Sequence, residues 1–244
     1  MPQYQLPNGS QLAISKALGT PLDIVSASNA SECVVVLKDV TGLKAGDFVL
    51  VPKAGWLALQ NSVQVIKDVD STAKSVTLYQ CDTTDTTDYP TGGMAPVGTG
   101  STAINYQIQK ITGWQPLPYT TSVSVSGGES QQTSFQPIQV DKAIPLNTTK
   151  TAVTQAFTFT HDAEDPIYPL LESADKKQTF LAFQFFNPRA RGGKGEYRVY
   201  GAQVSFNKIP TSEVNSVETV VATFSLASDM RFLEGDAVKK LVTL

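Results

Sequence analysis

The chain has 244 residues, of which 41% are apolar and only 17% are charged, against about 25% charged residues in a typical soluble domain. The apolar share excludes a disordered chain, and the net charge of -3 excludes the basic face of a dedicated nucleic-acid binder. No segment is long and apolar enough to predict a membrane span, and residues 1–8 lack the basic start and apolar run of a signal peptide.

Alternating apolar and polar residues recur along the chain between Gly, Pro, Asn and Asp residues, which predicts a mainly β fold, a sandwich or barrel. Strands are predicted at residues 32–37, 47–52, 62–69, 75–81, 104–112, 121–127, 133–140, 152–160, 179–186, 196–206 and 218–227. One flanking α-helix is predicted from the acidic cluster Asp162, Glu164 and Asp165 to Lys177. Acidic residues at the start of a helix and lysines at its end both complement the helix dipole.

The most unusual segment is DTTDTTDYPTGGMAPVGTGST at residues 82–102, which is polar and rich in Thr, Gly and Pro. It carries too few apolar residues for a core of its own, so we expect a long loop that projects from the body of the protein. A loop of this length favours a partner-binding role. Its candidate contact residues are Asp82, Asp85, Asp88 and Tyr89.

Catalytic chemistry has little support in the sequence. The only histidine, His161, precedes the predicted helix and is expected to have a surface or capping role. The three aspartates of residues 82–88 lack the spacing and the later glutamate of an EF-hand loop. Cys33 and Cys81 lie in strand-like stretches and are interpreted as small buried hydrophobes. No catalytic residue, no metal ligand and no cofactor is therefore predicted.

Three stretches carry motifs that are informative in combination. They are TGLKAGDFVLV followed by GW at residues 41–56, VTLYQCDTTDTTDYPTGG at residues 76–93, and ITGWQPL at residues 111–117. Together they resemble the tail tube proteins of siphophages, the phages with a long non-contractile tail. The C-terminal half is similar too, from FTFTHDAEDPIYPLLESADKKQT through NPRARGGKG to VSFNKIPTSEVNSVETVVATFSL. Their order and spacing carry the resemblance, because each motif alone is only moderately specific.

The resemblance implies a β-sandwich with one flanking helix and long extended loops, assembled with copies of itself as hexameric rings that stack into a tube. Further implied partners are the tape measure, terminator and distal tail proteins, with DNA passing transiently and without sequence specificity. The protein would be made in the host bacterial cytoplasm and located in the virion tail. We expect residues 1–244 to form a single tail-tube domain without the C-terminal immunoglobulin-like domain of some relatives.

Two sets of residues follow as assembly candidates. The basic loop at residues 187–195, with Arg189, Arg191 and Lys194, is predicted to pair with Asp162, Glu164 and Asp165 across a subunit boundary. The channel wall must not hold DNA, so it should be neutral or acidic. The residues predicted to face the lumen are Ser122, Ser124, Ser126, Glu129, Gln131 and Gln136. The serines alternate with Val123 and Val125, which should pack inward.

Two alternatives remain at this stage. A carbohydrate-binding or adhesin-like β-sandwich would use Trp56, Trp114 and Tyr119 as a platform for sugar rings. A hydrolase with a pair of carboxylates is the weakest alternative, because carboxylates can meet in space without any sequence signal.

Overall fold

The computed structural model describes residues 7–98 and 104–242, and β-strands dominate this part of the chain. The strands are β1 (Gln11–Leu18), β2 (Leu22–Ala27), β3 (Val34–Leu37), β4 (Phe48–Lys53), β5 (Val63–Asp70), β6 (Ser75–Leu78), β7 (Gln107–Pro116), β8 (Thr120–Ser126), β9 (Ser130–Phe135), β10 (Ile144–Lys150), β11 (Thr154–Thr160), β12 (Phe180–Asn187), β13 (Glu196–Thr211), β14 (Thr219–Leu226) and β15 (Arg231–Glu234). The α-helices are α1 (Ile167–Lys177) and α2 (Gly235–Val242). The predicted mainly β fold is confirmed.

The first half of the chain forms a closed barrel. Its strand order is β2, β3, β6, β5, β4 and β7, and the ring closes because β2 also pairs with β7. Side chains along a strand alternate between its two faces, so Val35 and Leu37 of β3 are buried inside the barrel, whereas Val34 and Val36 are only half-buried. The interior includes the buried side chains of Ile24, Trp56, Ile66, Val76 and Leu78.

The second half forms an open sheet that grows from the barrel. Strand β1 joins barrel strand β7 to β12, and the order continues through β13, β14 and β11 to β8. An aromatic core lies on one face, where the Phe183 ring centroid is 4.8 Å from that of Phe157 and 4.9 Å from that of Tyr200. Burial raises the pKa of the Tyr200 hydroxyl, which donates to Gln155 Oε1 at 2.6 Å and is thereby satisfied.

Helix α1 covers this aromatic core and matches the predicted flanking helix. It begins one residue after Pro166, where Asp165 Oδ1 accepts a hydrogen bond from the backbone N–H of Ile167 at 2.9 Å. Lys176 and Lys177 occupy its last turn, at the negative end of the helix dipole. Its inner face packs on the open sheet through buried residues including Leu171 and Ala174.

A third core joins the barrel, the sheet and α2. Leu50 and Val65 of the barrel meet Val199 of β13 and Leu233 of β15, and Val238 of α2 covers them. The contact between the two halves is close: a Cβ added at Gly201 on β13 would lie 1.7 Å from the carbonyl oxygen of Asn61. The barrel and the sheet therefore pack directly against each other.

The predicted elements need five additions and one shift. Each predicted strand overlaps an observed one, but β1, β2, β10 and β15 were not predicted, and neither was α2. The strand predicted at residues 133–140 is shifted, because β9 ends at Phe135 and the chain turns before β10. Within the residues described, neither helix has the length and hydropathy that a membrane span requires.

Candidate assembly surfaces

The chain from β8 to β11 folds into one long β-hairpin whose outer half leaves the sheet. Strand β8 pairs with β11, with Ser126 opposite Thr154. Farther out, β9 pairs with β10 in a separate two-stranded sheet, with Phe135 opposite Ile144. Every residue of β9 and β10 is exposed. We call residues 127–153 the arm.

A glycine at the base of the arm permits this departure from the sheet. Gly127 has φ of 86°, a left-handed conformation that side chains disfavour. A Cβ added there would lie 2.0 Å from the carbonyl oxygen of Ala152 on the returning chain. The two chains of the hairpin are thus in backbone contact at this point, and only glycine fits between them.

The arm exposes many large apolar side chains. Ile138 at its tip is fully exposed, and Phe135, Ile144 and Leu146 are each more than two-fifths exposed. Contiguous exposed apolar surface of this kind marks an interaction site in soluble proteins, because its removal from water is favourable. The arm is therefore a candidate docking element.

The predicted luminal serines lie on the face of the sheet that points away from the aromatic core. On β8, Val123 is opposite the buried Phe157, whereas Ser124 is opposite Ala156 on the other face. Val123 and Val125 do point to the core side as predicted. However, they lie beyond the edge of the core and are 44% and 62% exposed.

The serine face continues across three more strands. The strand register places three residues of β8 beside three residues each of β11, β14 and β13, all on the same face of the sheet. We call this set the hydroxyl face: Ser122, Ser124, Ser126, Thr154, Ala156, Thr158, Val221, Thr223, Ser225, Gln203, Ser205 and Asn207. All are exposed or half-buried, and none is charged. The Thr alternation in TQAFTFT and TVVATFSL could have indicated the middle rows from sequence.

The other three predicted luminal residues lie on the arm and not beside the serines. Glu129 Oε2 accepts a hydrogen bond from Thr151 Oγ1 at 2.9 Å, across the base of the arm. Gln131 lies on β9, and Gln136 lies at the tip, where its Nε2 donates to the Val140 carbonyl at 3.2 Å. The structure therefore separates the predicted set into two groups.

The segment predicted to project, residues 82–102, is instead held against the barrel in its described part, residues 82–98. Thr83 is fully buried, and its carbonyl accepts a hydrogen bond from Asn29 Nδ2 at 3.0 Å. The same amide donates to the Tyr89 carbonyl at 2.7 Å, and Met94 is buried in the barrel core. Residues 99–102 lie outside the described residues. A few anchoring residues thus outweigh the polar composition of the segment.

The aspartates of this segment organise local turns. Asp82 Oδ1 accepts a hydrogen bond from the Thr84 N–H at 3.0 Å, and this bond is the main reason that the pKa of Asp82 lies below its usual value. Asp85 Oδ1 accepts from the Thr87 N–H at 2.9 Å, and Asp88 is exposed. Over the part of the chain that the structure describes, no cluster of three or more metal-ligating side chains occurs.

The basic loop and the acidic cluster use most of their charges within the chain. Arg191 Nε lies 3.1 Å from Glu196 Oε2, and Lys194 Nζ lies 3.5 Å from Glu234 Oε1. Arg189 is exposed. These intramolecular ion pairs are a correction to the expectation that all three cations serve a subunit boundary.

On the acidic side, Asp162 Oδ1 accepts a hydrogen bond from the Glu164 N–H at 3.1 Å, and Asp165 begins α1 as described above. The backbone N–H of His161 donates to the Glu218 carbonyl. Glu218 directly precedes Thr219, which pairs with Thr211 at the end of β13. The basic loop precedes the opposite end of β13, at Glu196. The two charged groups therefore lie at opposite ends of that strand.

His161 has a structural partner. Its Nδ1 lies 2.7 Å from Tyr168 Oη in the first turn of α1, beside a shallow cavity of about 330 Å³. The cavity is also lined by Glu172 and Lys208, which form an ion pair at 3.0 Å. Its lining contains no serine or cysteine that His161 could activate, so a catalytic triad is not assembled there.

The aromatic platform of the carbohydrate-binding alternative is not present. Trp56 is fully buried, with its indole N–H donating to the Pro90 carbonyl at 2.8 Å. Trp114 packs edge-on against Phe48, with ring centroids 5.7 Å apart. Of the three aromatic residues, Tyr119 alone is largely exposed, at 88%. A sugar platform needs several exposed rings on one surface, and these residues do not supply it.

Comparison with known proteins identifies the family. The family described as "Phage tail tube protein, TTP" matches residues 54–235, well over half of the chain. A solved structure of the SPP1 tail tube, from solid-state NMR and cryo-EM, is similar over 55% of this chain and 76% of that chain, with 12% identity and a TM-score of 0.39. No curated protein sequence matches significantly. The chain belongs to the phage tail tube protein family, and its role is that of a structural component of a phage tail tube.

Proposed function

We propose that copies of this chain form closed hexameric rings through the free edge of β8. The observation that carries the proposal is that β8, within the described chain, has a strand partner on one side only, β11. An unpaired edge presents N–H and C=O groups that a strand of a neighbouring subunit can satisfy. Strand β12 pairs with β13 only as far as Gln203, so the part of β13 beyond Gln203 can accept the β8 edge of a neighbour. Repeating this contact around a ring closes the four strands β8, β11, β14 and β13 of each subunit into one continuous inner barrel.

The hydroxyl face supports an inner position for these four strands. Its twelve residues carry no charge, so they offer DNA phosphates neither the attraction of a basic track nor strong repulsion. They also lack aromatic rings on which bases could stack. A wall of short hydroxyl and amide side chains lets DNA pass without holding it.

The arm then connects successive rings. Its exposed apolar side chains lie outside all three cores, so they need cover from another subunit. A contact between different surfaces of identical subunits propagates along an axis when its rotation does not close a ring, and this is the geometry that stacked rings need. The separation of Arg189 from Asp162 and Glu164 along β13 is compatible with a further head-to-tail contact of opposite charges.

The barrel and the sheet act together as one tail-tube unit, with no catalytic role. Its partners are copies of itself and the tape measure, terminator and distal tail proteins, and DNA passes through the assembled tube. Production in the host bacterial cytoplasm is compatible with two free cysteines, because thiols stay reduced there.

Negative-stain and cryo-electron microscopy of the purified protein across a concentration series would test the proposal. We expect rings or tubes with sixfold symmetry and with β8 at the inner wall. Monomers that persist at all concentrations, or tubes with another symmetry, would contradict the hexameric ring. A map with the arm pointing into the lumen would contradict the assignment of the inter-ring contact.

A further inference from the structure

Cys33 and Cys81 are neighbours in the barrel core. Both are free thiols, and their side chains are 0% and 5% exposed. Their backbones are hydrogen-bonded: the Cys33 N–H donates to the Cys81 carbonyl, and the Leu78 N–H donates to the Cys33 carbonyl, each at 2.8 Å. Both side chains are buried in the same core, where the two thiols interact with each other.

This arrangement brings the two cysteines close together, although they are not a ladder pair. The register of β3 and β6 places Leu78 opposite Cys33, and the Cys81 carbonyl accepts the Cys33 N–H three residues farther along the chain. Disulfides span Cα separations of roughly 4.4–6.8 Å, and residues joined by a direct backbone hydrogen bond between antiparallel chains lie about 5.5 Å apart. Rotation of the two side chains can therefore bring the sulfur atoms to bonding distance.

A half-buried cation lies next to the pair. The guanidinium of Arg231 on β15 donates to Gln64 Oε1, and to the carbonyls of Tyr79 and Gln80 at 2.8 and 3.0 Å. All three acceptors are neutral, so the positive charge of Arg231 is available to attract a thiolate at Cys81.

The two thiols are consequently unequal. Donation from the Cys33 S–H, together with the nearby Arg231 charge, lowers the pKa of Cys81 against the opposing effect of burial. The hydrogen bond to Cys81 and burial raise the pKa of Cys33. Thiolate character determines which cysteine reacts first with an oxidant, so Cys81 is the reactive member and Cys33 retains its proton.

We propose that Cys33 and Cys81 form an oxidisable dithiol, which peroxide converts into an intramolecular disulfide within the barrel. The Cys81 thiolate attacks one oxygen of hydrogen peroxide, forms a sulfenic acid and releases hydroxide. The Cys33 sulfur then attacks the Cys81 sulfur, a sulfur–sulfur bond forms, and the sulfenic oxygen leaves as water with the Cys33 proton. Two thiols and one peroxide give one disulfide and two waters overall. Peroxide is small enough to reach a side chain that is only 5% exposed.

The disulfide would join the start of β3 to the chain after β6 and make a closed loop of residues 33–81, which includes most of the barrel. Such a link stabilises a fold mainly by restricting the unfolded chain. Thiols stay reduced in a bacterial cytoplasm and oxidise outside it. A tail tube is needed after the virion leaves the cell, so the link would form when lasting stability matters most. This inference does not depend on the proposed ring arrangement.

The test uses the full chain, reduced, freed of reductant and treated with hydrogen peroxide. Thiols are then counted by maleimide labelling in denaturant, the mass is measured, and the Cys33 and Cys81 peptides are mapped. We expect both thiols to become unreactive and the mass of the chain to fall by two hydrogen atoms. The two peptides should be cross-linked within one chain, and dithiothreitol should fully reverse the change. The melting temperature should rise by roughly 5–10 °C.

Single variants assign the roles. In Cys33→Ser, the sulfenic acid on Cys81 should persist and react with dimedone, and peroxide should not raise the melting temperature. In Cys81→Ser, Cys33 should give little dimedone adduct. Two labelled thiols in peroxide-treated wild-type protein, or a disulfide only between chains, would overturn the proposal. If either variant fails to fold, the wild-type peptide map alone decides.

Discussion

Two Thr-rich segments of similar polarity have opposite structural roles. Residues 82–98 look like a projecting loop in sequence, yet Thr83 and Met94 are buried and Asn29 binds two carbonyls of the segment. The arm, residues 127–153, contains strand-like patterns, yet all of β9 and β10 is exposed. Average composition therefore does not decide whether a segment packs or projects. The outcome depends on how many side chains of the segment a neighbouring core can bury.

The location of the aromatic and aliphatic residues explains the difference. Tyr89 lies with its ring centroid 5.3 Å from that of Trp56, so the first segment contributes to an existing core. The apolar residues of the arm lie on a two-stranded sheet that has no third layer. An isolated hairpin is only marginally stable in water, so the arm is expected to gain most of its order when another surface covers it.

The largest effect is expected where the first segment meets the barrel. Trp56→Ala should lower the free energy of unfolding by about 3–5 kcal/mol, because it removes a fully buried ring together with the partner of the Pro90 carbonyl. Urea unfolding of the isolated subunit measures this. The neighbouring Leu57 is 83% exposed, so Leu57→Ala should change stability by no more than about 0.5 kcal/mol. Equal losses in the two variants would show that residues 82–98 are not anchored as described.

Apolar residues of the arm should matter for assembly and not for the subunit. Ile144→Ser with Leu146→Ser removes two exposed side chains, each worth about 1.5–3 kcal/mol once buried in an interface. We expect an unchanged urea midpoint and at least about a tenfold rise in the protein concentration needed for tubes, measured by light scattering. Ile144→Val with Leu146→Met keeps apolar character and should preserve assembly. Normal tubes from the serine variant would remove the arm from the inter-ring contact.

The base of the arm offers a smaller and sharper comparison. Gly127→Ala places a Cβ 2.0 Å from the Ala152 carbonyl oxygen, in a left-handed conformation. Gly9→Ala has nearly the same φ, 84°, but no neighbouring atom within 4 Å. The first variant should therefore lose about 1–3 kcal/mol more than the second, through strain at the hairpin crossing. Differential scanning calorimetry measures both, and equal losses would mean that the crossing opens freely.

A functional effect without a stability effect is expected on the hydroxyl face. Ser122→Lys, Ser124→Lys and Ser126→Lys together should leave tubes intact but slow DNA ejection, because lysines would hold the passing phosphates. Higher salt should relieve the effect, and glutamines at the same positions should have little effect. Cysteines can also be placed at these positions. If they react in assembled tubes with reagents too large to enter the lumen, this face points outward.

The smallest effect is expected from Arg189, the cation of the basic loop that has no ion pair among the residues the structure describes. Arg191 and Lys194 have partners within the chain, so Arg189→Glu tests an intermolecular charge pair alone. Exposed pairs contribute about 0–1 kcal/mol each, and repetition around a ring multiplies the effect. Assembly should slow modestly at low salt and be unchanged at high salt. Indifference at both salt concentrations would exclude this pairing.

Sequence patterns predicted the elements best where one face is buried and the run is long. The alternation at residues 196–206 predicted β13, and the acidic cluster with Lys176 and Lys177 predicted α1. Some missed elements are short, such as β15 with four residues, or fully exposed, such as β10, which includes Pro145. Strand β1 has eight residues, but its two buried residues are adjacent, so its burial does not alternate. Short or fully exposed strands have no periodic apolar signal, so single-sequence reasoning cannot find them.

What the sequence determined by itself was the mainly β class, the flanking helix, the uncharged alternating serines of β8 and the family resemblance. These depend on local periodicity and on residue order, which the chain carries directly. Tertiary structure alone decided which polar segment is anchored, which charges pair internally, and which rows complete the hydroxyl face. It also decided that Cys33 and Cys81 share the barrel core and that Arg231 of β15 lies near Cys81. Such outcomes depend on contacts between residues far apart in sequence, which local patterns do not encode.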